Sequence, residues 1–305
     1  MSGHLVPCLM STLGCVSSFI AASIGFYNVH VVLSHPYFRK KYEYQLFFFR
    51  FLADFNMTAF SAVYYFILIV SVHNGADESL ATVEYWLGLI VSSSATVRVV
   101  TSFLIAVERT LAVYFPAAFL HYRVRVPKLL LPLFAASFGL IDNVILYVAC
   151  GYVFVPKLSC IIFTCQINSC FLSYYSMNKT IMYGCTGSVL VALCTKLFVI
   201  NRLRPSHQEK LSRVNKLALI DAVIVLFFDF SSSFVAARKI FDYETSGPYD
   251  AAPKMLGRAI EAFVVAVQLM RAMQTPVVQS RNNTRLSTNK HDSARHTSNL
   301  VHPQI

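Results

Sequence analysis

Four ionisable residues, Arg98, Asp142, Asp229 and Glu261, stand inside stretches of sequence that otherwise carry almost no charge. A charge in a low-dielectric interior is costly unless a partner neutralises it, so each of these residues needs a reason to be there. Three kinds of chemistry supply one: an ion pair that fixes one helix against another, a charged wall that recognises a ligand, or a path for protons or ions. Three carboxylates against one arginine would suit a cationic or polar ligand. Nothing here resembles an enzyme, because the nine histidines are scattered and the one deep in an apolar run, His30, has no nucleophile near it in sequence. Cys160, Cys165 and Cys170 recur at five-residue spacing, a poor match to zinc ligands, so neither a metal nor a cofactor is expected.

The elements that must hold these residues follow from composition. Of 305 residues, 56% are hydrophobic and only 13% charged, about half the charge an ordinary soluble chain carries. Seven apolar runs are long enough to cross a bilayer as helices: Thr12 to Ser34, Leu46 to Val72, Val83 to Val113, Leu129 to Cys150, Ile181 to Ile200, Leu217 to Ala237 and Met255 to Gln274. Barrel strands would alternate apolar and polar residues, whereas Val223-Ile-Val-Leu-Phe-Phe is apolar on every side. The fold expected is therefore an all-α, integral-membrane bundle of seven transmembrane helices. Residues 1–11 would form a short extracellular N-terminus, 12–275 the membrane domain and 276–305 a cytoplasmic tail. Ala21-Ala22-Ser23 could end a cleaved signal peptide, but no basic residue precedes the run, and a retained first span is the better reading.

The net charge of +11 is explained by position rather than by an anionic partner such as nucleic acid. With the N-terminus outside, fifteen Lys and Arg fall in cytoplasmic segments and five, including Lys157, Lys179 and Lys254, in outer ones, the asymmetry that retains loops on the inner side. At 1.5 Å per residue, Arg98, Asp142, Asp229 and Glu261 all come out at roughly 18–21 Å from the inner boundary. Arg98, Ser102, Ile105 and Arg109 share one face of the third helix. Nearer the inner face, Arg109 and Asp221 come out at roughly 5 and 6 Å and can meet, with Glu108 as a competing partner. Asn28 and Asp54, at roughly 9 and 12 Å, need internal hydrogen bonds. Arg50 and Lys196 are shallow enough to snorkel and receive no role.

The segment Glu108-Arg109-Thr110-Leu-Ala-Val-Tyr-Phe-Pro116 resembles the D/E-R-Y signature of rhodopsin-like G-protein-coupled receptors, with the same spacing from arginine to proline. Leu52-Ala53-Asp54 and Asn28 stand where that family carries its second-helix aspartate and first-helix asparagine. The wording of the motif, followed by Tyr122-Arg123, looks most like the nematode serpentine chemoreceptors, class BC, over roughly residues 12 to 275. Departures are the absence of a tryptophan from the fourth span, Phe227-Phe228-Asp229-Phe230 in place of Cys-Trp-x-Pro in the sixth, and Met270-Arg-Ala-Met-Gln-Thr-Pro276 in place of Asn-Pro-x-x-Tyr in the seventh. The resemblance implies a plasma-membrane receptor in sensory-neuron cilia that binds a small external molecule and activates a heterotrimeric G protein. Arg98, Asp142, Asp229 and Glu261 would then be the ligand-binding residues, and Glu108, Arg109, Asp221, Asn28 and Asp54 the coupling and activation residues. The rival is a small-molecule or ion transporter using the mid-membrane charges.

No cysteine lies between Val16 and Ala149, so the family's usual bond from the third helix to the second outer loop cannot form. An internal bond among Cys160, Cys165 and Cys170, or one to Cys8, is expected instead. Asn178-Lys-Thr180 is an outer-side glycosylation sequon, but it is so close to the fifth span that it is expected to stay unmodified. The Asn201–Lys216 loop, with five basic residues and one acidic, can receive a Gα helix, and the Ser/Thr-rich tail after Pro276 can bind an arrestin-like protein when phosphorylated.

Overall fold

A computed structural model describes residues 5–35, 45–75, 77–127, 129–156, 162–203, 223–237, 248–271 and 273. Every regular element among the described residues is helical. In chain order they are α1 (Leu5–Ser34), α2 (Gln45–Asn74), α3 (Glu78–Tyr114), α4 (Pro116–Arg125), α5 (Leu130–Val144), α6 (Phe163–Gln166), α7 (Ser169–Leu203), α8 (Ser231–Ala237) and α9 (251–271). A π-helical turn, Ile145–Ala149, extends α5, and another, Val225–Phe230, leads into α8.

Five of these helices are long and apolar enough to cross a membrane: Val6–Ser34, Leu46–Asn74, Glu78–Tyr114, Leu130–Ala149 and Ser169–Val199. The sixth predicted run is described only from residue 223, and the seventh corresponds to α9. The first helix starts at Leu5, so much of the expected N-terminal segment belongs to it. The fifth starts twelve residues before its predicted Ile181. Residues 169–180 are too rich in Ser, Asn and Thr to read as a span, yet they are helical, and Thr180 returns its hydroxyl to the Ser176 carbonyl at 2.9 Å.

Burial is inverted relative to a water-soluble protein. α5 turns Leu133, Phe134, Leu140, Val144 and Val148 outward, while Arg98, Asp142, Asp229, Arg258 and Glu261 are inside. Only a hydrocarbon solvent makes both choices favourable. α3 is the most buried span and packs against α2, α5 and α7. Its 37 residues make it about 55 Å long, well beyond the hydrocarbon thickness, as its long apolar run implied. Asp77 caps its start by accepting the Glu78 amide at 2.8 Å. Its end is set by Pro116: the residue before a proline is pushed out of the helical region, Phe115 adopts φ −131° and ψ 63°, and Pro116 opens α4 at the first helical position.

Cys150, just past the first π turn, is bonded to Cys170 in the first turn of α7. This corrects the expected pairing: Cys170 reaches back to the end of the fourth span instead of pairing within the loop or with Cys8, which is free. Cys165 is also disulfide-bonded, and Cys160 lies outside the described residues. Asn168 reinforces the tie, donating to the Cys150 carbonyl at 2.9 Å and accepting the Phe171 amide at 3.0 Å to cap α7. Opening a closed loop of this separation, 20 residues, relaxes the unfolded chain by about 3 kcal/mol. Cys150→Ser and Cys170→Ser should therefore lower thermal stability in detergent equally, and the double variant no further. A double variant that loses the sum of the two would show that the cysteines act separately.

Over this end of the bundle lies an aromatic lid. Tyr85 stacks on Phe154 with centroids 4.2 Å apart and shares a hydroxyl hydrogen bond with Tyr147 at 2.8 Å. The Phe163 amide donates to the Tyr64 hydroxyl at 3.0 Å, and the Phe163 ring rests on Gly88, where a Cβ would come within 2.6 Å of it. Tyr152 donates to the Gln166 carbonyl at 2.9 Å; burial and the neighbouring Tyr147 push its pKa up, so the donor stays protonated.

Candidate functional site

Beneath the lid, the four residues expected at one level fall into two clusters. The larger is centred on Arg98 of α3, which is 1% exposed. Its guanidinium pairs with Asp54 of α2 through Nε, with Glu261 of α9 at 2.8 Å, and with Asp229 of the second π turn at 3.6 Å. Two further arginines complete it. Arg50, one turn before Asp54, pairs with Glu261 and lies 3.7 Å from Asp54. Arg258 pairs with Asp229 and, across one turn of α9, with Glu261 at 2.9 Å. Three arginines and three carboxylates thus tie α2, α3, the turn before α8, and α9 together with no net charge.

This balance corrects three expectations. Arg50, expected to snorkel, is 2% exposed and belongs to the network. Asp54, placed by helix counting with the inner, coupling residues, is a direct partner of Arg98; a guanidinium reaches far from its Cα, and a tilted helix does not follow perpendicular counting. The apparent surplus of acid disappears once Arg50 and Arg258 are counted, and with it the argument for a cationic ligand. Arg258 was overlooked although its spacing offered a signal: Arg258 with Glu261 and Arg50 with Asp54 are i,i+3 and i,i+4 pairs on single helices.

Packing around the network is tight. A cavity of about 20 Å³ beside Asn28, Asp54, Thr58, Arg258 and Glu261 has room for about one water. Small-molecule sites are typically 300–1,000 Å³. Asn28 closes one side by donating to the Ala262 carbonyl of α9 at 3.1 Å.

Asp142 belongs to the second cluster. One carboxylate oxygen accepts Tyr174 at 3.1 Å and the other accepts Thr96 of α3. Thr96 in turn accepts Lys179 Nζ at 2.6 Å, and the ammonium lies 5.0 Å from the centre of the Tyr175 ring. Lys179, counted by sequence among the outer-segment residues, is 5% exposed inside α7. The sequon at Asn178, expected to stay unmodified because it is close to the fifth span, lies within that span. The residue is half-buried within α7 and its amide donates to the Tyr174 hydroxyl at 3.4 Å, so the sequon lies in a helix rather than in a loop.

At the other end of α3, Arg109 places its guanidinium 5.3 Å from the centre of the Phe47 ring of α2, and Glu108 is buried. Asp221, the expected partner of Arg109, lies outside the described residues, as does the tail. Among the described residues no three His, Cys, Asp or Glu side chains are grouped to hold a metal.

No curated protein matches the chain. A family model does, over residues 4–273, and its description is the serpentine-type seven-transmembrane G-protein-coupled chemoreceptor Srbc, a family of receptors rather than of enzymes. With that match spanning most of its length, the chain belongs to the Srbc family of serpentine chemoreceptors.

Proposed function

We propose that this receptor sits in the plasma membrane with its N-terminus outside, binds a small external molecule beneath the aromatic lid, and activates a heterotrimeric G protein at the opposite end. The family match over residues 4–273 carries this reading. Orientation is supported by the disulfide, which requires an oxidising compartment and lies at the same end as the N-terminal half of α1: Gly14 rests on Tyr65, beside Tyr64, which accepts the Phe163 amide. The positive-inside count agrees.

In this reading, Asp142 belongs to the ligand-facing cluster. Arg98, Asp229 and Glu261, placed beside it by sequence, join Asp54 and Asn28 as the core that transmits helix movement. Glu108 and Arg109 face the G protein. A transporter would need a route for its substrate past a network whose six charges neutralise one another.

The test is nucleotide exchange on a purified Gα by the receptor in nanodiscs, with substrate flux in proteoliposomes as the control. Exchange without flux is expected. Substrate-dependent flux in the wild-type chain, without exchange, would make the chain a transporter.

A further inference from the structure

Lys179 is a buried basic residue that the receptor scheme leaves unused. An ammonium has three N–H donors. Among the described residues Lys179 makes one hydrogen bond, to the neutral Thr96 hydroxyl, and its ammonium lies 5.0 Å from the centre of the Tyr175 ring. Asp142 is its nearest counter-charge by connectivity, but Thr96 stands between them, accepting from Lys179 and donating to Asp142. The cluster is thus an ion pair opened by one hydroxyl, held by α3, α5 and α7. It sits nine residues along α7 from Cys170 of the Cys150–Cys170 bond, or roughly 13–14 Å in from that end.

We propose that Lys179 is the recognition residue for the external cue, and that the cue is a small molecule carrying a carboxylate on an apolar body. This rests on the receptor reading and adds the ligand's chemical class. A carboxylate can take the spare N–H donors of Lys179 and convert a contact with a neutral hydroxyl into a charge-assisted hydrogen bond. An amine is disfavoured because an incoming cation would have to lie beside Lys179, which Thr96 joins to Asp142. The Arg98 network offers no alternative anion site, since its three guanidiniums are matched by three carboxylates. The apolar body would lie toward Tyr85, Phe154 and Phe163, which form the lid on the same side.

The full chain in nanodiscs is challenged with butyrate, hexanoate, benzoate and phenylacetate, each beside its matched primary amine and methyl ester, and nucleotide exchange on Gα is read. At least one carboxylate should stimulate exchange while its amine and ester do not. Lys179→Met should then lower its potency roughly 10- to 100-fold, the size of a hydrogen bond to a charged group, with Lys179→Arg retaining part of the response. The wild-type comparison of acid, amine and ester stands even where Lys179→Met does not fold. Stimulation by amines or esters alone, or a carboxylate response untouched by Lys179→Met, overturns the proposal. A receptor that ignores every carboxylate, yet has ligand-independent exchange that Arg109→Ala removes, overturns the carboxylate class and leaves the receptor reading standing. No exchange under any condition overturns both.

Discussion

Arg98→Met is expected to remove the receptor from the cell surface. The substitution fills much of the same volume but leaves Asp54, Asp229 and Glu261 facing only Arg50 and Arg258, so one negative charge is buried without compensation. Breaking a buried pair by deleting one partner costs roughly 3–5 kcal/mol, a large share of a typical domain's stability. Most of that penalty is the stranded charge rather than the lost hydrogen bonds, and this makes the mechanism separable. Adding Glu261→Gln to Arg98→Met restores neutrality and should recover part of both surface expression and thermal midpoint. Removing Arg50 together with Asp54, which also preserves neutrality, should be milder than removing Arg98 alone. Surface labelling and thermal unfolding in detergent read both effects. A double variant as poorly expressed as the single one would show that shape, and not charge balance, holds the network together.

Arg109→Ala is expected to do the reverse, sparing the fold and reducing signalling. Arg109 is half-buried at the C-terminal end of α3, with its guanidinium 5.3 Å from the centre of the Phe47 ring. Half-buried rather than fully buried, Arg109 should cost surface expression less than Arg98 does when it is removed. Four residues earlier, Ile105 packs among Phe47, Phe51, Val265 and Leu269, which sets the direction in which Arg109 leaves the helix. If this end receives the G protein, losing the guanidinium removes a coupling free energy of roughly 1–3 kcal/mol, and exchange on Gα should fall on the order of tenfold or more. Arg109→Lys, which keeps the charge but not the planar fork, should fall between the two. Exchange at the wild-type level in Arg109→Ala would remove Arg109 from the coupling surface.

Local properties of the chain determined the membrane class, the helical spans and the Glu108-Arg109 to Pro116 segment, because length, hydropathy and the effect of a proline on its predecessor act within one helix. They also identified Arg98, Asp229 and Glu261 as residues in need of partners. Which partners they found was not legible. Counting 1.5 Å per residue treats a helix as an upright rod, whereas Arg98 reaches Asp54 sideways and Arg50 turns inward to Glu261. A long flexible cation can snorkel or bury according to what faces it, so its fate belongs to the neighbouring helix as much as to its own.

The same holds at the other end. Residues 169–180 read as loop because their side chains count as polar, and only the folded helix shows Thr180 bonded to the turn before and Tyr174 to Asp142. That one shift carried Lys179 from a supposed outer loop into the core, next to Thr96 and Asp142, and let Cys170 meet Cys150. Sequence alone thus determined that this protein is a bundle of membrane helices with charges it must neutralise. Only the tertiary structure decided that six of them close on one another while Lys179 and Asp142 are held apart by a hydroxyl, because the rotation of each helix about its axis, invisible in any single segment, selects the pairs.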